Sequence, residues 1–147
     1  MFILFGVVSI SKEYSSTSRE LLINFLKHNM YDPVIARRVK PRNPYKNKKL
    51  NNMAMPNFND KSIEGLSALI SSFEEDEKGV PVLIRQYMKL GGQMLGFNID
   101  HEFSDCVDGL MRVDLRNIDE KVLSKYMGKE QAQSYLAYWR NVCRAAV

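Results

Sequence analysis

The hydrophobic pattern of the chain is clearest between residues 79 and 115, where apolar positions first recur at a helical spacing and then alternate. From Pro81 to Leu90 the apolar side chains fall at the interval of one face of an α-helix. Proline suits the first turn of a helix because its φ is preset and it has no N–H group to leave unpaired. Gly91 and Gly92 follow, and glycine commonly ends a helix in the left-handed conformation. The segment therefore predicts a helix that ends at Gly91.

Two β-strands are predicted next, at residues 93–99 and 107–115, because apolar positions alternate there. Their connection is shorter than a parallel crossover allows, so the strands should pair antiparallel. Polar residues gather at the turn, where aspartate and serine commonly bond to their own backbone. A metal site or a general base is the alternative, but one histidine gives little support for ligation, and no metal is expected. The cluster consists of Asp100, His101, Glu102, Asp105 and Asp108.

The segment from Phe2 to Ile10 is an almost continuous apolar run. Such a run predicts a strand buried on both faces, as in a parallel or mixed sheet. With the hairpin, it gives an α/β (α+β) fold with a small mixed sheet of about three strands and several amphipathic helices. A buried strand at this place would leave backbone groups unpaired on at least one edge. Either the chain forms a homo-oligomer through this N-terminal strand, or Met1 is an internal residue of a longer ancestral protein; we expect the second.

The other helices are predicted from capping residues ahead of apolar stripes. The predicted signals are the capping box Thr17-x-x-Glu20, Asp32-Pro33 for a short helix through Val39, Asp60, Asp119 with Gly128 as the stop, and a last amphipathic helix through Trp139.

The composition indicates one globular domain over residues 1–147, with 45% hydrophobic and 26% charged residues. No stretch approaches the ~18 apolar residues of a membrane span, and the N-terminus lacks the features of a secretory signal. Cys106 and Cys143 are far apart, which suggests reduced thiols. We therefore expect a cytoplasmic protein.

The net charge is +4, and the basic residues crowd one segment, Arg37–Lys49. Prolines and asparagines predict that residues 40–59 form an irregular basic loop. The cluster could attract anionic lipids, an acidic carrier protein, phosphates or nucleic acid, although a solvated loop is the simplest interpretation. No nucleic-acid-binding module accompanies it, so nucleic acid is not expected as a partner. Its cations are Arg37, Arg38, Lys40, Arg42, Lys46, Lys48 and Lys49.

Several motifs resemble one protein family. The segment 5–11, followed by Tyr14 and the triplet 18–20, is similar to the fifth strand and following helix of bacterial GNAT-type acyltransferases. The segment 81–91 resembles the C-terminal region of the hemolysin-like or ornithine-lipid-synthase-like N-acyltransferases within that group. The resemblance covers nearly the whole chain but about the second half of the family's domain. Further matching motifs are Asp100-x-x-Phe103-x-Asp105, Asp108-Gly109-Leu110, Arg42-Asn43-Pro44 and Tyr126-Met127-Gly128-Lys129-Glu130.

The resemblance implies a partial GNAT-like fold and an acyltransferase of lipid biosynthesis. Such an enzyme moves a fatty acyl group to an amine of a lipid precursor, from the phosphopantetheine of acyl carrier protein or from acyl-CoA. It also implies a location at the inner face of the membrane, as a peripheral protein. By this likeness the acyl-thioester cleft would be bordered by Phe5, Gly6, Val7 and Ser9, and the carrier or an anionic substrate would meet Arg85 and Lys89.

The chain also departs from that family. Gln93-x-x-Gly96-x-Asn98 is a near miss of the pyrophosphate-binding loop and lies in a strand context. The family's acidic and arginine residues on the fourth strand have no counterpart, so the general base and the oxyanion stabiliser stay unassigned. The resemblance thus implies an acyltransferase that is incomplete in this chain. The alternative is a non-catalytic basic protein that binds an anionic membrane or an acidic partner through Arg37–Lys49.

Overall fold

The computed structural model of the chain describes residues 2–46 and 62–145. The strands are β1 (Ile3–Ile10), β2 (Gln93–Asp100) and β3 (Cys106–Asp114). The helices are α1 (Ser16–Met30), α2 (Pro33–Ala36), α3 (Ile63–Phe73), α4 (Val82–Lys89), α5 (Glu120–Met127) and α6 (Lys129–Ala145), and a 3₁₀ turn spans Leu115–Asn117.

The three strands form one sheet in the order β1-β3-β2, and both pairings are antiparallel. The predicted α+β class, the three strands and the antiparallel hairpin are confirmed. The sheet is antiparallel throughout rather than mixed, because β1 runs opposite to the central strand β3.

The prediction that β1 is buried on both faces is wrong. Val8 and Ile10 point into the core, whereas Phe5 and Val7, on the opposite face, are 63% and 56% exposed. β1 is an edge strand, and on its outer side no described strand pairs with it. An apolar run therefore does not distinguish a strand that is buried on both faces from an edge strand that has one apolar face exposed to solvent.

A β-bulge changes the predicted alternation of β2. The register shifts between Met94 and Gly96, so Met94 pairs with Met111 and Phe97 pairs with Gly109. A bulge sets two residues against one, which brings Met94 to the same face as Phe97.

Two hydrophobic clusters stabilise the described part of the chain. In the first, α1, α3 and α4 cover one face of the sheet, with Phe25, Ile70 and Ile84 fully buried. In the second, α5 and α6 pack on the end of β3, with Val113, Leu123 and Leu136 buried.

The helix caps follow the sequence with two differences. Asp119 caps α5 and Gly128 ends it at φ +83°, as predicted. Helix α1 begins earlier than its predicted capping box, because the Ser15 hydroxyl accepts from Ser18 N–H and Glu74 accepts from Ser15 N–H. Helix α3 is capped by Ser62. Asp60, the predicted cap, lies outside the described residues.

The first part of the predicted basic loop is held against β2. Pro44 forms an isolated antiparallel bridge with Asn98, and Tyr45 N–H donates to the carbonyl of Phe97 at 3.0 Å. Apart from that bridge, residues 40–46 form neither helix nor strand. The remainder of the loop, residues 47–59, lies outside the described residues.

Among the described helices, none has both the length and the apolar composition that crossing a membrane requires.

Replacing Gly92 should destabilise the fold. A β-carbon at this position would lie 2.9 Å from the backbone oxygen of Tyr87, which cannot move without distorting the end of α4. We expect Gly92→Ala to lower the free energy of unfolding by ~1–3 kcal/mol, as overpacking typically does, measured by urea denaturation. Gly65→Ala is the matched control, because its β-carbon meets nothing closer than 3.7 Å and alanine favours a helix by up to ~1 kcal/mol. Equal stability of Gly92→Ala and the parent chain would contradict the close packing at this turn.

Candidate functional site

An apolar cleft of about 460 Å³ opens beside the N-terminal half of β1, on the face of the sheet that carries the helices. Its lining comes from β1, β3, α4, α5 and the 3₁₀ turn, so the cleft exists only in the folded chain. The lining residues are Leu4, Phe5, Gly6, Tyr87, Leu90, Met111, Val113, Leu115, Ile118, Leu123, Tyr126 and Met127.

Strand register sets the floor of the cleft. Leu4 pairs with Val113 and Gly6 pairs with Met111, and directly paired residues share a face of an antiparallel sheet. Gly6 lacks a side chain, which leaves a gap in the floor between larger neighbours. The floor is therefore apolar, and Gly6 contributes no side chain to it.

The cleft lies where the two hydrophobic clusters meet. Tyr87, on α4, packs against both clusters, and Leu90 packs against the second. Leu123, from α5, is buried in the second cluster and also lines the cleft. The walls of the cleft therefore include buried residues of both clusters, with Met111 from the first and Leu123 from the second.

The hydroxyl of Tyr87 brings a polar group to this apolar site. A β-carbon at position 6 would lie 3.5 Å from the Tyr87 hydroxyl oxygen, so the hydroxyl lies next to Gly6 with no side chain between them. The hydroxyl forms no hydrogen bond with another described residue. A phenol is both a donor and an acceptor, and this one is free to bond a ligand.

The free edge of β1 presents backbone groups next to the cleft. Leu115 N–H donates to the carbonyl of Phe2 at 2.8 Å, which identifies a hydrogen-bonded pair at the start of the ladder. In an antiparallel ladder such pairs alternate, so the N–H and C=O groups of Phe5 and Val7 point away from β3. An extended ligand with amide groups could hydrogen-bond to this edge.

Two of the four predicted cleft residues lie in this cleft. Phe5 and Gly6 line it. Val7 lines a different groove on the opposite face of the sheet. Ser9 is at the far end of β1, where its hydroxyl donates to Asp108 at 2.6 Å.

The two predicted carrier contacts lie on α4 but in different surroundings. The Arg85 guanidinium donates to the hydroxyl of Ser67 and lies 3.7 Å from the carboxylate of Glu64. Lys89 is exposed near the end of the helix. Arg85 is therefore engaged with α3, and Lys89 is the cation that faces solvent.

The polar cluster at the β2–β3 turn forms a hydrogen-bond network at the opposite end of the sheet from the cleft. Asp105 binds Lys12 Nζ at 2.8 Å and His101 Nδ1 at 2.6 Å. The bond from Lys12 is the main reason that the pKa of Asp105 falls to about 2. Asp108 accepts from Ser9 and from the Cys106 thiol, and burial raises the pKa of that thiol. In the part of the chain that the structure describes, no group of three or more His, Cys, Asp or Glu side chains is arranged to hold a metal.

The sequence pattern does not predict that Tyr87 and α5 contribute to the cleft. Tyr87 falls within the apolar stripe of α4, and its packing role is real, so the helical period alone cannot single out its hydroxyl. The pairing of a tyrosine on one element with a glycine on another is visible only once the elements are placed together. Leu123 and Met127 likewise belong to an ordinary amphipathic stripe.

Comparisons of the chain with protein-family models, with curated proteins and with solved structures give no match.

Removing the lysine that holds Asp105 should raise the pKa of this carboxyl. We expect Lys12→Ala to move it from about 2 toward its ordinary value of 3.8, measured by NMR titration of the carboxyl carbon. In the folded parent chain the lowered pKa stabilises the fold above pH ~4, and this stabilisation is lost as the pH falls toward 2. His101→Ala is the comparison, since its bond to Asp105 has the smaller effect, and it should give a smaller rise. An unchanged pKa in Lys12→Ala would contradict the ion pair.

Proposed function

We propose that this protein takes part in fatty acyl transfer, with the cleft beside β1 as the site of the acyl chain. The observation that carries the proposal is that Phe5 and Gly6, which the resemblance assigns to an acyl-thioester site, line an apolar cleft. The reaction would join a fatty acyl group to an amine of a lipid precursor.

The size and lining of the cleft support this assignment. Ligand pockets in proteins commonly measure ~300–1,000 Å³, a range that includes the 460 Å³ found here. An acyl chain gains ~0.8 kcal/mol for each methylene that leaves water, so an apolar cavity binds it without specific polar contacts. The described lining contains no charged side chain that would oppose this.

The free edge of β1 suits the carrier arm. Phosphopantetheine has amide groups, and the outward-facing backbone groups of Phe5 and Val7 can hydrogen-bond to amides as an added strand would. The arm would then deliver the thioester to the end of the cleft near Gly6. Acyl carrier protein, or CoA, is the proposed donor, with Lys89 available to an acidic carrier surface.

We assign Tyr87 to the reacting thioester. In the transfer, the amine nitrogen attacks the carbonyl carbon, the carbon–sulfur bond breaks, and the thiol leaves with the proton that the amine loses. Charge develops on the carbonyl oxygen during the attack, and a hydroxyl donor aimed at that oxygen stabilises it. The general base stays unassigned. Because the proposed acceptor is a lipid precursor, we place the protein in the cytoplasm at the inner face of the membrane.

Transfer of a labelled acyl group tests the proposal. The protein would be incubated with isotopically labelled acyl-carrier protein or acyl-CoA and a panel of lipid-precursor amines, and amide products would be measured by mass spectrometry. We expect an amide that forms faster than in the protein-free reaction. If neither donor yields amide above that background, the proposed function is wrong.

Filling the floor of the cleft should weaken acyl binding. Gly6→Val places a side chain in the space before the Tyr87 hydroxyl, and valine suits a β-strand. We expect at least a tenfold loss of affinity for a fluorescent acyl-CoA, which corresponds to the ~1.4 kcal/mol that two methylenes roughly supply. Val7→Leu is the matched control, because it adds volume on the opposite face. Circular dichroism and urea denaturation would establish that both variants fold. Unchanged affinity in folded Gly6→Val would place the acyl chain elsewhere.

Removing the Tyr87 hydroxyl should slow transfer more than it weakens binding. Tyr87→Phe keeps the ring that packs against both clusters, so acyl affinity should stay within about twofold. Loss of one donor to a developing oxyanion typically lowers kcat ~10²–10³-fold. Single-turnover kinetics would measure the step, with Tyr126→Phe as the control, since its exposed hydroxyl is not adjacent to Gly6. Equal rates for Tyr87→Phe and the parent chain would remove Tyr87 from the mechanism.

A further inference from the structure

The outer face of the sheet exposes apolar side chains. Phe5 and Val7 project from β1 on the side opposite the helices and are more than half exposed. Exposed large apolar side chains clustered on one face commonly mark a binding surface. Phe5 also borders the cleft at the edge of β1, whereas Val7 does not. The rest of the cleft lies on the helix-covered face of the sheet.

Basic residues border the same face. A groove of about 300 Å³ brings Val7 and Leu110 together with Lys40 and Arg42. Asp108 also lines the groove, but its carboxylate is engaged, because it accepts a hydrogen bond from the Ser9 hydroxyl. Positive charge and apolar surface are therefore adjacent.

The segment that carries these cations is fixed to the sheet. Asn43 N–H donates to the Asn98 side chain at 2.7 Å, and Ile99 N–H donates to the Asn43 carbonyl at 2.8 Å. Arg42 is thus held at the rim of the groove, next to β2. Five cations of the segment are exposed, and none of them forms an ion pair with a described residue; they are Arg37, Arg38, Lys40, Arg42 and Lys46.

We propose that this outer face binds the surface of an anionic lipid bilayer. The cations would contact headgroup phosphates, and Phe5 and Val7 would enter the boundary between headgroups and acyl chains. Long basic side chains beside exposed apolar groups match that boundary, since their stems are apolar and their tips are charged. An acidic protein would satisfy the cations without requiring solvent-exposed Phe5 and Val7, so the bilayer is the better match. Val7, Lys40 and Arg42 lie outside the cleft, so bilayer binding through them does not depend on the acyl chemistry, although Phe5 borders both sites.

Co-sedimentation with vesicles tests the inference. The chain would be mixed with vesicles of phosphatidylcholine alone and of phosphatidylcholine with phosphatidylglycerol, each at low and at high salt. We expect binding to the anionic vesicles that weakens as salt rises, because salt screens the attraction. Equal binding to both vesicle types, or no binding to either, would overturn the inference.

Substitutions on the outer face test whether this face is the surface that binds the bilayer. Each basic residue near an anionic surface strengthens binding about fivefold, so the pair Lys40→Ala and Arg42→Ala should lower the partition coefficient roughly 25-fold. The matched control is Lys121→Ala with Lys125→Ala, which removes the same charge from α5 and should change binding much less. Val7→Ser should weaken binding several-fold, including at high salt, because it removes apolar surface without changing the charge. Equal losses for both lysine-containing pairs would show a net-charge effect and contradict a defined surface.

The experiments also distinguish two other possible occupants of this face, a second copy of the chain and an acidic protein. Light scattering would detect a second copy, and a dimer that Val7→Ser dissociates would overturn the bilayer assignment. Salt-sensitive binding to acyl carrier protein that Lys40→Ala with Arg42→Ala abolishes, without any binding to anionic vesicles, would assign the face to an acidic protein instead.

Discussion

The described structure depends on β3, because this strand pairs on both sides and contributes to both hydrophobic clusters. Val107 and Met111 belong to the cluster under α1, α3 and α4, whereas Val113 belongs to the cluster with α5 and α6. Gly109 permits close packing, since a β-carbon there would lie 2.3 Å from Met94 Cε. The backbone ladder of one strand therefore fixes the distance between the clusters.

Charge supports the same strand from its outer face. Arg112 lies across from Phe5 and binds Asp32 at 3.1 Å, which ties the cap of α2 to the sheet. Asp114 binds Arg116 at 2.5 Å, and this hydrogen bond lowers the pKa of the Asp114 carboxyl. Because Arg112, Asp32 and Asp114 are largely buried, each of them needs its partner, and loss of one partner leaves an uncompensated charge. The end of β3 is thus positioned by ion pairs as well as by packing.

Much of the fold could be predicted from the sequence, because local signals and tertiary structure agree. The period of residues 81–115 predicts α4 and the hairpin, and Asp119 with Gly128 predicts the bounds of α5. The surroundings of β1 could not be predicted, because an apolar run shows that a segment is hydrophobic but does not show which strands or helices pack against it. The bulge at Leu95 also escaped prediction, because a bulge depends on the partner strand.

The candidate site was predictable only in part. Phe5 and Gly6 carry a signal in the sequence through the resemblance, and both line the cleft. The other walls come from elements distant in sequence, whose apolar stripes look like any core-facing stripe. Ser9 lies on the same strand but at its other end, so sharing a strand did not imply sharing a site.

The place of Tyr87 between the two clusters has a thermodynamic consequence. A molecule that fills the space before its hydroxyl touches residues of both clusters, so part of its binding energy is available only while both are folded. Such an occupant stabilises each cluster through the other, and the two clusters then unfold as a more cooperative unit. Binding in the cavity therefore increases the thermodynamic coupling between the two clusters.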